Sequence, residues 1–196
     1  AHGPGLVHSR VRPIRTMDDM RGLKFRATGF AAKIVTALGG TPVAMPMPET
    51  YPSLQKGVVD GSLYPMESNQ GWKLGEVTKY MTENFSMAYT SSFFVVMNKQ
   101  KWERLSPAAQ KAIDEVSAEW IPKTAAAWDE SDREGRAYFL EQKNEIIPLS
   151  AEEAARWKQA VQPIIDGYVA EAQAKGIDGR KALEVTLKAL ERHGVK

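Results

Sequence analysis

Alternation of short strand and helix patterns over residues 23–61 constrains the fold of this chain more than any other feature. Residues 23–27 have the length and apolar content of a short strand, and residues 30–38 place apolar side chains on one face of a helix. Gly39 and Gly40 end that helix, and residues 42–45 predict a second strand. Such alternation is typical of an α/β sheet flanked by helices.

Arg26 stands at the carboxyl end of the first predicted strand, next to a loop of small residues. Ligands of open α/β sheets bind at the carboxyl ends of strands. A guanidinium group in that place can hold a carboxylate through two parallel hydrogen bonds. Arg26 is therefore a candidate carboxylate-binding residue. The alternative is an ion pair with a local Asp or Glu.

The rest of the first half is predicted to consist of short elements: a helix over 48–57, a strand at 58–59, a turn at 60–61, a helix over 72–80, and strands over 85–89 and 92–97. Residues 93–97 are nearly continuous in apolar side chains. Because such runs are typical of strands covered on both sides, we expect this last strand to be buried on both faces.

The second half of the chain has a helical pattern. Ser106 followed by Pro107 is a typical helix start, and apolar or small residues then recur every three or four positions to about residue 142. Ser150 begins a capping box that predicts another helix. A last amphipathic helix is predicted over residues 180–192.

These patterns divide the chain into three parts. Residues 1–12 are interpreted as the end of a preceding segment or a hinge, residues 13–98 as an α/β ligand-binding lobe, and residues 99–196 as a helical part. The first five residues have neither the basic nor the apolar region of a signal peptide. This beginning is interpreted as a tag scar, a flexible arm or the middle of a longer protein.

Composition excludes several classes of function. The chain has 196 residues, a formal net charge of +2 and no cysteine, so disulfides and thiolate metal sites are excluded. Nearly balanced charge argues against nucleic acid as a main partner. No apolar run approaches the ~18 residues of a membrane span, so we do not expect a membrane-embedded protein.

Residue types that support catalysis or metal binding do not form a recognisable pattern. His2, His8 and His193 have no partner at metal-ligand spacing, and Ser91 and Ser92 have no neighbouring base. We therefore predict no catalytic residues, no bound metal, no cofactor and no enzymatic activity. A small enzyme would need a nucleophile and base that the sequence does not reveal.

Four blocks of the sequence resemble the solute-binding proteins of TRAP transporters, the DctP-like family. They are PIRTMDDMRGLKFRATG from Pro13, ALGGTPVAMPMPETYPSLQKGVVDG from Ala37, EVTKY from Glu76 and VMNKQKWERLSPAAQKAI from Val96. The order and spacing of the blocks match the family, and a looser similarity continues to the C-terminus. Family members are about half as long again, so the N-terminal part is expected to be missing.

The resemblance implies the second lobe of a type II-like periplasmic binding protein, with a mixed sheet flanked by helices and long C-terminal helices bracing the lobes. The implied function is to bind a small organic acid in the periplasm and deliver it to the membrane permease of a TRAP transporter. A hinge would close the cleft on the ligand. The alternative is a soluble organic-acid sensor that presents its ligand to a receptor or regulator. Two copies could also exchange elements and form a dimer.

The resemblance also implies which residues face the ligand. Arg26 corresponds to the family arginine that pairs with the substrate carboxylate. Further candidates, for each of which packing or a solvated surface position is the alternative, are Met47, Tyr64, Glu67, Trp72 and Tyr89. Tyr64 lies where many relatives carry Glu, Asn or Trp, and this departure suggests a less polar ligand than a simple dicarboxylate.

Overall fold

The computed structural model describes residues 1–192, so His193 lies outside the described residues. The strands are β1 Gly5–Ser9, β2 Lys24–Arg26, β3 Thr41–Val43, β4 Gly61–Pro65, β5 Tyr80–Glu83 and β6 Glu145–Pro148. The helices are α1 Gly29–Ala37, α2 Thr50–Gln55, α3 Ser68–Gly71, α4 Lys99–Glu103, α5 Pro107–Glu141, α6 Ala151–Ala174 and α7 Gly179–Arg192. Short 3-10 turns lie at Met17–Met20, Met47–Glu49, Leu74–Glu76 and Phe85–Met87.

The strands form one six-stranded mixed sheet in the order β3-β2-β4-β1-β5-β6. β2 runs parallel to β3 and β4, and β5 runs parallel to β6. β1 is antiparallel to both of its neighbours, β4 and β5. The predicted α/β fold with a mixed sheet flanked by helices is therefore confirmed.

Helices cover both faces of the sheet because the inner strands are apolar on both sides. On one face, Val7, Phe25 and Leu63 pack with apolar residues of α1 and with the fully buried Trp157 of α6. On the other face, Leu6 and neighbouring residues pack against Phe139 of α5. Burying apolar surface on both faces provides the main favourable free energy of folding.

The predicted helices of the second half are confirmed, and local capping explains where they begin. Ser106 Oγ accepts a hydrogen bond from the Ala109 N–H at the start of α5, which runs for 35 residues. Ser150 Oγ accepts one from the Glu153 N–H at the start of α6. Each side chain satisfies a backbone donor that the helix itself leaves free.

Two strands join the sheet from outside the segment that the sequence suggests as the α/β lobe. β1 lies within residues 1–12, where sequence analysis predicts no strand, and β6 follows α5 in the predicted helical part. The sheet thus draws strands from all three predicted parts. The three-part division remains a prediction, since nothing in the structure measures which parts fold independently.

Three of the predicted short elements are wrong. The strand predicted at 58–59 begins instead at Gly61 and continues to Pro65. Residues 72–80 form a 3-10 turn followed by the start of β5 rather than a helix, and residues 85–87 form a 3-10 turn rather than a strand. Val59, Leu74 and Met87 are buried in these segments, whereas Val58, Trp72 and Phe85 are exposed. Tertiary packing decides which of these apolar residues are covered, and the local sequence pattern does not encode it.

The strand predicted over residues 92–97 is not paired with any strand in the part of the chain that the structure describes. Its side chains, expected to be buried on both faces, are exposed instead. Within residues 1–192, the expectation that this segment is buried is therefore wrong.

Candidate functional site

Arg26 is a buried cation at the carboxyl end of a strand. β2 delivers it to the carboxyl end of the strand, between β3 and β4, and its side chain is only 8% exposed. Its Nε donates a hydrogen bond to the carbonyl oxygen of Met45 at 3.1 Å, but within residues 1–192 no Asp or Glu forms an ion pair with it. Burial lowers the pKa of its guanidinium group. A desolvated charge of this kind is stabilised by an anion that supplies the missing hydrogen-bond acceptors.

The backbone after Arg26 also favours a negative charge. The chain turns directly from β2 into α1, and Gly29 at the start of the helix has φ of 55°, a left-handed conformation that favours glycine. Thr28 makes no side-chain capping hydrogen bond. The positive end of the α1 dipole and its first N–H groups therefore lie close in sequence to Arg26, where they can attract an anion.

Tyr89 and Glu67 lie in the same electrostatic neighbourhood as Arg26. Burial raises the pKa of Tyr89, Arg26 opposes that rise and Glu67 adds to it. The Tyr89 hydroxyl donates to the carbonyl oxygen of Leu63 at 3.2 Å. Gly5 makes room for the Tyr89 ring, because a Cβ on Gly5 would lie 2.1 Å from it. Arg26, Glu67 and Tyr89, three of the six candidate ligand-binding residues from sequence analysis, thus lie in one neighbourhood of the structure.

Glu67 is a half-buried carboxyl group with an acidic neighbour. Its Oε1 accepts a hydrogen bond from Ser68 Oγ at 2.6 Å, and its backbone N–H donates to Asp132 Oδ1 at 2.9 Å. Burial raises the pKa of both carboxyl groups, and the charge of Asp132 raises that of Glu67 further. A second carboxylate would be repelled here, whereas a hydroxyl donor would be accepted.

An aromatic cluster, comprising His2, Tyr89, Phe93 and Trp128, extends from this neighbourhood. The His2 ring centroid lies 5.6 Å from that of Tyr89 and 5.9 Å from that of Phe93, and Phe93 stacks on Trp128 at 5.5 Å. Sequence analysis did not single out His2 or Trp128 for this role. No local signal could have found them, because only the fold joins positions so far apart in the chain.

Met47 and Trp72 have positions that leave their predicted ligand role open to test. Met47 packs against the buried cluster that contains Leu54 and Tyr64, and its sulfur lies 3.7 Å from Thr50 Oγ1. Trp72 is 43% exposed immediately after α3. Their contact with a ligand remains a prediction.

Tyr64 is a core residue. It is fully buried, its ring stacks on His8 with centroids 3.7 Å apart, and its hydroxyl lies 3.1 Å from both Asn69 Oδ1 and Thr78 Oγ1. This network uses the hydroxyl, and burial surrounds the ring; contact of Tyr64 with a ligand remains a prediction.

Two further observations concern the described residues as a whole. None of the helices within residues 1–192 is both long enough and apolar enough to cross a membrane. In the same part of the chain, no three His, Asp or Glu side chains gather as metal ligands.

Together, the fold and the site define an α/β lobe in which the buried guanidinium group of Arg26, at the carboxyl end of β2, has no acidic partner among residues 1–192. The chain belongs to the DctP family, described as bacterial extracellular solute-binding protein, family 7, whose sequence model matches residues 4–172.

Three relatives illustrate the similarity. The C4-dicarboxylate-binding periplasmic protein DctP of Rhodobacter capsulatus is 30% identical over 181 residues, which is 90% of this chain and 53% of that protein. A TRAP solute-binding protein from Rhodoferax ferrireducens, solved with copurified benzoate, is 30% identical with a TM-score of 0.87 over 98% of this chain and 62% of that one.

A marine metagenome TRAP solute-binding protein specific for aromatic acid ligands, solved with metahydroxyphenylacetate, is 29% identical with a TM-score of 0.87. That match covers 97% of this chain and 61% of the other. The chain therefore spans between about half and three-fifths of the length of these relatives. Its fold matches one lobe of such proteins, as sequence analysis predicts.

Proposed function

We propose that this chain is the ligand-binding lobe of a TRAP transporter solute-binding protein that binds a small organic acid in the periplasm and delivers it to the membrane permease. The observation that carries this proposal is the burial of Arg26 without an acidic partner among residues 1–192. A ligand carboxylate completes the hydrogen bonding of the guanidinium group, and the positive end of α1 adds to its attraction. The ligand is bound and released without chemical change.

Aromatic monocarboxylates are the ligand class that this site favours. The aromatic cluster offers flat apolar surfaces next to the guanidinium group, and such surfaces provide most of the affinity for a small ligand. Glu67 and Asp132 disfavour a second carboxylate in the ligand, but either can accept a hydrogen bond from a ring hydroxyl. The aromatic acids bound by the Rhodoferax and metagenome relatives support the same class.

Met47 and Trp72 would then define the edges of the ligand site. Met47 lies two residues after Met45, whose carbonyl oxygen accepts the hydrogen bond from Arg26 Nε. Trp72 presents an exposed indole ring that a bound acid could cover.

Calorimetric titration of the complete gene product tests both levels of the proposal. We expect benzoate and 3-hydroxybenzoate to bind and to be recovered unchanged, and succinate to bind about tenfold more weakly or worse, a difference of about 1.4 kcal/mol. Failure of every carboxylate to bind would overturn the proposed function. A preference for succinate would overturn only the aromatic class and leave acid binding in place.

A further inference from the structure

The edge of the sheet that lies opposite the Arg26 site joins strand ends from distant parts of the chain. Arg26 is at the carboxyl end of β2, whereas Lys24 is at its amino end. The Asp60 N–H, just before β4, donates to the Lys24 carbonyl oxygen at 2.7 Å. The Arg10 N–H, just after β1, donates to the Asp60 carbonyl oxygen at 2.9 Å. These hydrogen bonds place Lys24, Asp60 and Arg10 side by side.

The same row continues across β1 to the far side of the sheet. The Lys79 N–H donates to the Ser9 carbonyl oxygen, and the Glu145 N–H donates to that of Lys79, each at 2.9 Å. Neighbouring strands lie about 4.8 Å apart, so the five strands β2, β4, β1, β5 and β6 extend this row over roughly 19 Å. We define the basic edge as residues 10–24, 56–60, 79 and 143–145.

Basic side chains predominate along the basic edge. It carries eight basic and four acidic residues, whereas the whole chain has 26 and 24. The basic residues are Arg10, Arg12, Arg15, Arg21, Lys24, Lys56, Lys79 and Lys143, and the acidic residues are Asp18, Asp19, Asp60 and Glu145. The positive charge of this protein is therefore concentrated at one end of the sheet.

The acidic residues of the basic edge already have partners, but most of its cations do not pair with an acid. Asp18 pairs with Arg21, and Glu145 pairs with Arg15. Asp60 accepts a hydrogen bond from the Lys24 N–H at 2.9 Å. In the described part of the chain, five of the cations form no ion pair: Arg10, Lys24, Lys56, Lys79 and Lys143. Cations clustered in this way attract an anionic partner.

Two exposed valines lie among these cations. Val11, between Arg10 and Arg12 in the sequence, is 42% exposed, and Val58 is 53% exposed. A Cβ on Gly57 would lie 3.4 Å from the Arg10 guanidinium group, so the loop that carries Val58 lies against Arg10. Apolar side chains bordered by cations suit the boundary between lipid headgroups and acyl chains. A soluble polyanion would contact the cations but leave the valines in water.

We propose that the basic edge docks this protein on the surface of a phospholipid bilayer with anionic headgroups. Each cation held near such a surface strengthens binding about fivefold, and the five cations without an acidic partner act together. The attachment is peripheral, because it uses loops and strand ends and inserts only two valine side chains. Since Arg26 lies at the other end of β2, docking leaves the Arg26 site clear of the bilayer.

Flotation of the complete gene product with lipid vesicles tests the proposal. We expect it to bind phosphatidylcholine vesicles that contain about one-third phosphatidylglycerol, and to bind pure phosphatidylcholine at least about tenfold more weakly. Added salt should release it, because salt screens exposed charges.

Two double variants compare cations inside and outside the basic edge. Lys24→Gln with Lys56→Gln should weaken binding to the anionic vesicles by about tenfold to thirtyfold. Lys101→Gln with Arg104→Gln removes the same charge from exposed positions at α4 and is the matched control, which should bind like the unmodified protein. All four positions are exposed, so melting temperatures should stay unchanged.

Val58→Ser distinguishes a bilayer from a soluble polyanion. The variant should bind the anionic vesicles about threefold more weakly or worse, because a serine gains less from contact with acyl chains. Its retention on a heparin column should equal that of the unmodified protein, since all cations remain.

Three results would overturn the proposal. They are absence of binding to the anionic vesicles, equal binding to both kinds of vesicle, and equal weakening by the two double variants. Retention on heparin without binding to vesicles would assign the basic edge to a soluble acidic partner instead. The comparison of vesicles needs no variant, and ligand binding enters none of these readouts, so the test is independent of the proposed function.

Discussion

Replacing Arg26 with methionine should separate ligand binding from folding. The substitution keeps a long, flexible side chain but removes the guanidinium group and its 3.1 Å hydrogen bond to the Met45 carbonyl oxygen. Truncating one partner of a buried, hydrogen-bonded charge pair costs about 2–5 kcal/mol. We therefore expect the dissociation constant for benzoate to rise between about 30-fold and several thousandfold.

Stability of the ligand-free protein should respond in the opposite direction. The lost hydrogen bond to a charged donor is worth about 1.5–3 kcal/mol. The charge itself costs several kcal/mol to bury, and within residues 1–192 no acidic side chain pairs with it. We expect the free energy of unfolding of ligand-free Arg26→Met to be equal to or higher than that of the unmodified protein.

Calorimetry with benzoate and urea unfolding of the ligand-free protein measure the two effects on the same preparations. Arg21→Met is the matched control, because Arg21 is exposed and pairs with Asp18. It should leave the dissociation constant unchanged. An Arg26→Met dissociation constant within about threefold of the unmodified value would refute the ligand role, since less than 1 kcal/mol would then be lost. A large loss of ligand-free stability would instead identify Arg26 as a structural residue.

Two other perturbations follow from the packing and burial of single residues. Gly135→Ala should lower the melting temperature, because the added Cβ would lie 2.0 Å from the Met66 carbonyl oxygen and push α5 off the sheet. Gly167→Ala is the matched control in α6, where the added Cβ meets open space, and it should raise the free energy of unfolding by about 0.5–1 kcal/mol. Burial lowers the pKa of His8 from 6.5 to about 3, so between these pH values the unfolded state binds a proton that the folded state does not. Urea unfolding should show full stability well above pH 6.5, a loss of about 1.4 kcal/mol by pH 5.5, and a shallower pH dependence in His8→Phe. Equal melting temperatures for the two alanine variants, or an unchanged pH slope in His8→Phe, would contradict the respective argument.

Sequence analysis could predict a candidate site residue only where its local sequence position indicates a ligand-binding role. Arg26 could be selected as a candidate because ligands of open α/β sheets bind at the carboxyl ends of strands, where this cation lies. The association of Tyr89 and Glu67 with Arg26 agrees with the sequence-based candidates, but their ligand contacts remain predictions. The ligand role of Tyr64 also remains a prediction. Sequence does not say which face of β4 receives which side chain, and the structure turns Tyr64 toward His8 in the core.

By itself, the sequence determined the elements whose signals are local. Ser106 and Ser150 mark the starts of α5 and α6, because a capping hydroxyl satisfies backbone donors within the same few residues. Only the tertiary structure decided the membership of the sheet. β1 and β5 are stabilised by neighbours distant in sequence, and residues 92–97, with a stronger strand pattern than either, remain unpaired in residues 1–192. A segment becomes a strand only when distant parts of the chain supply hydrogen-bonding strands beside it and helices that pack on its faces. The local sequence pattern alone therefore cannot determine which segments join the sheet.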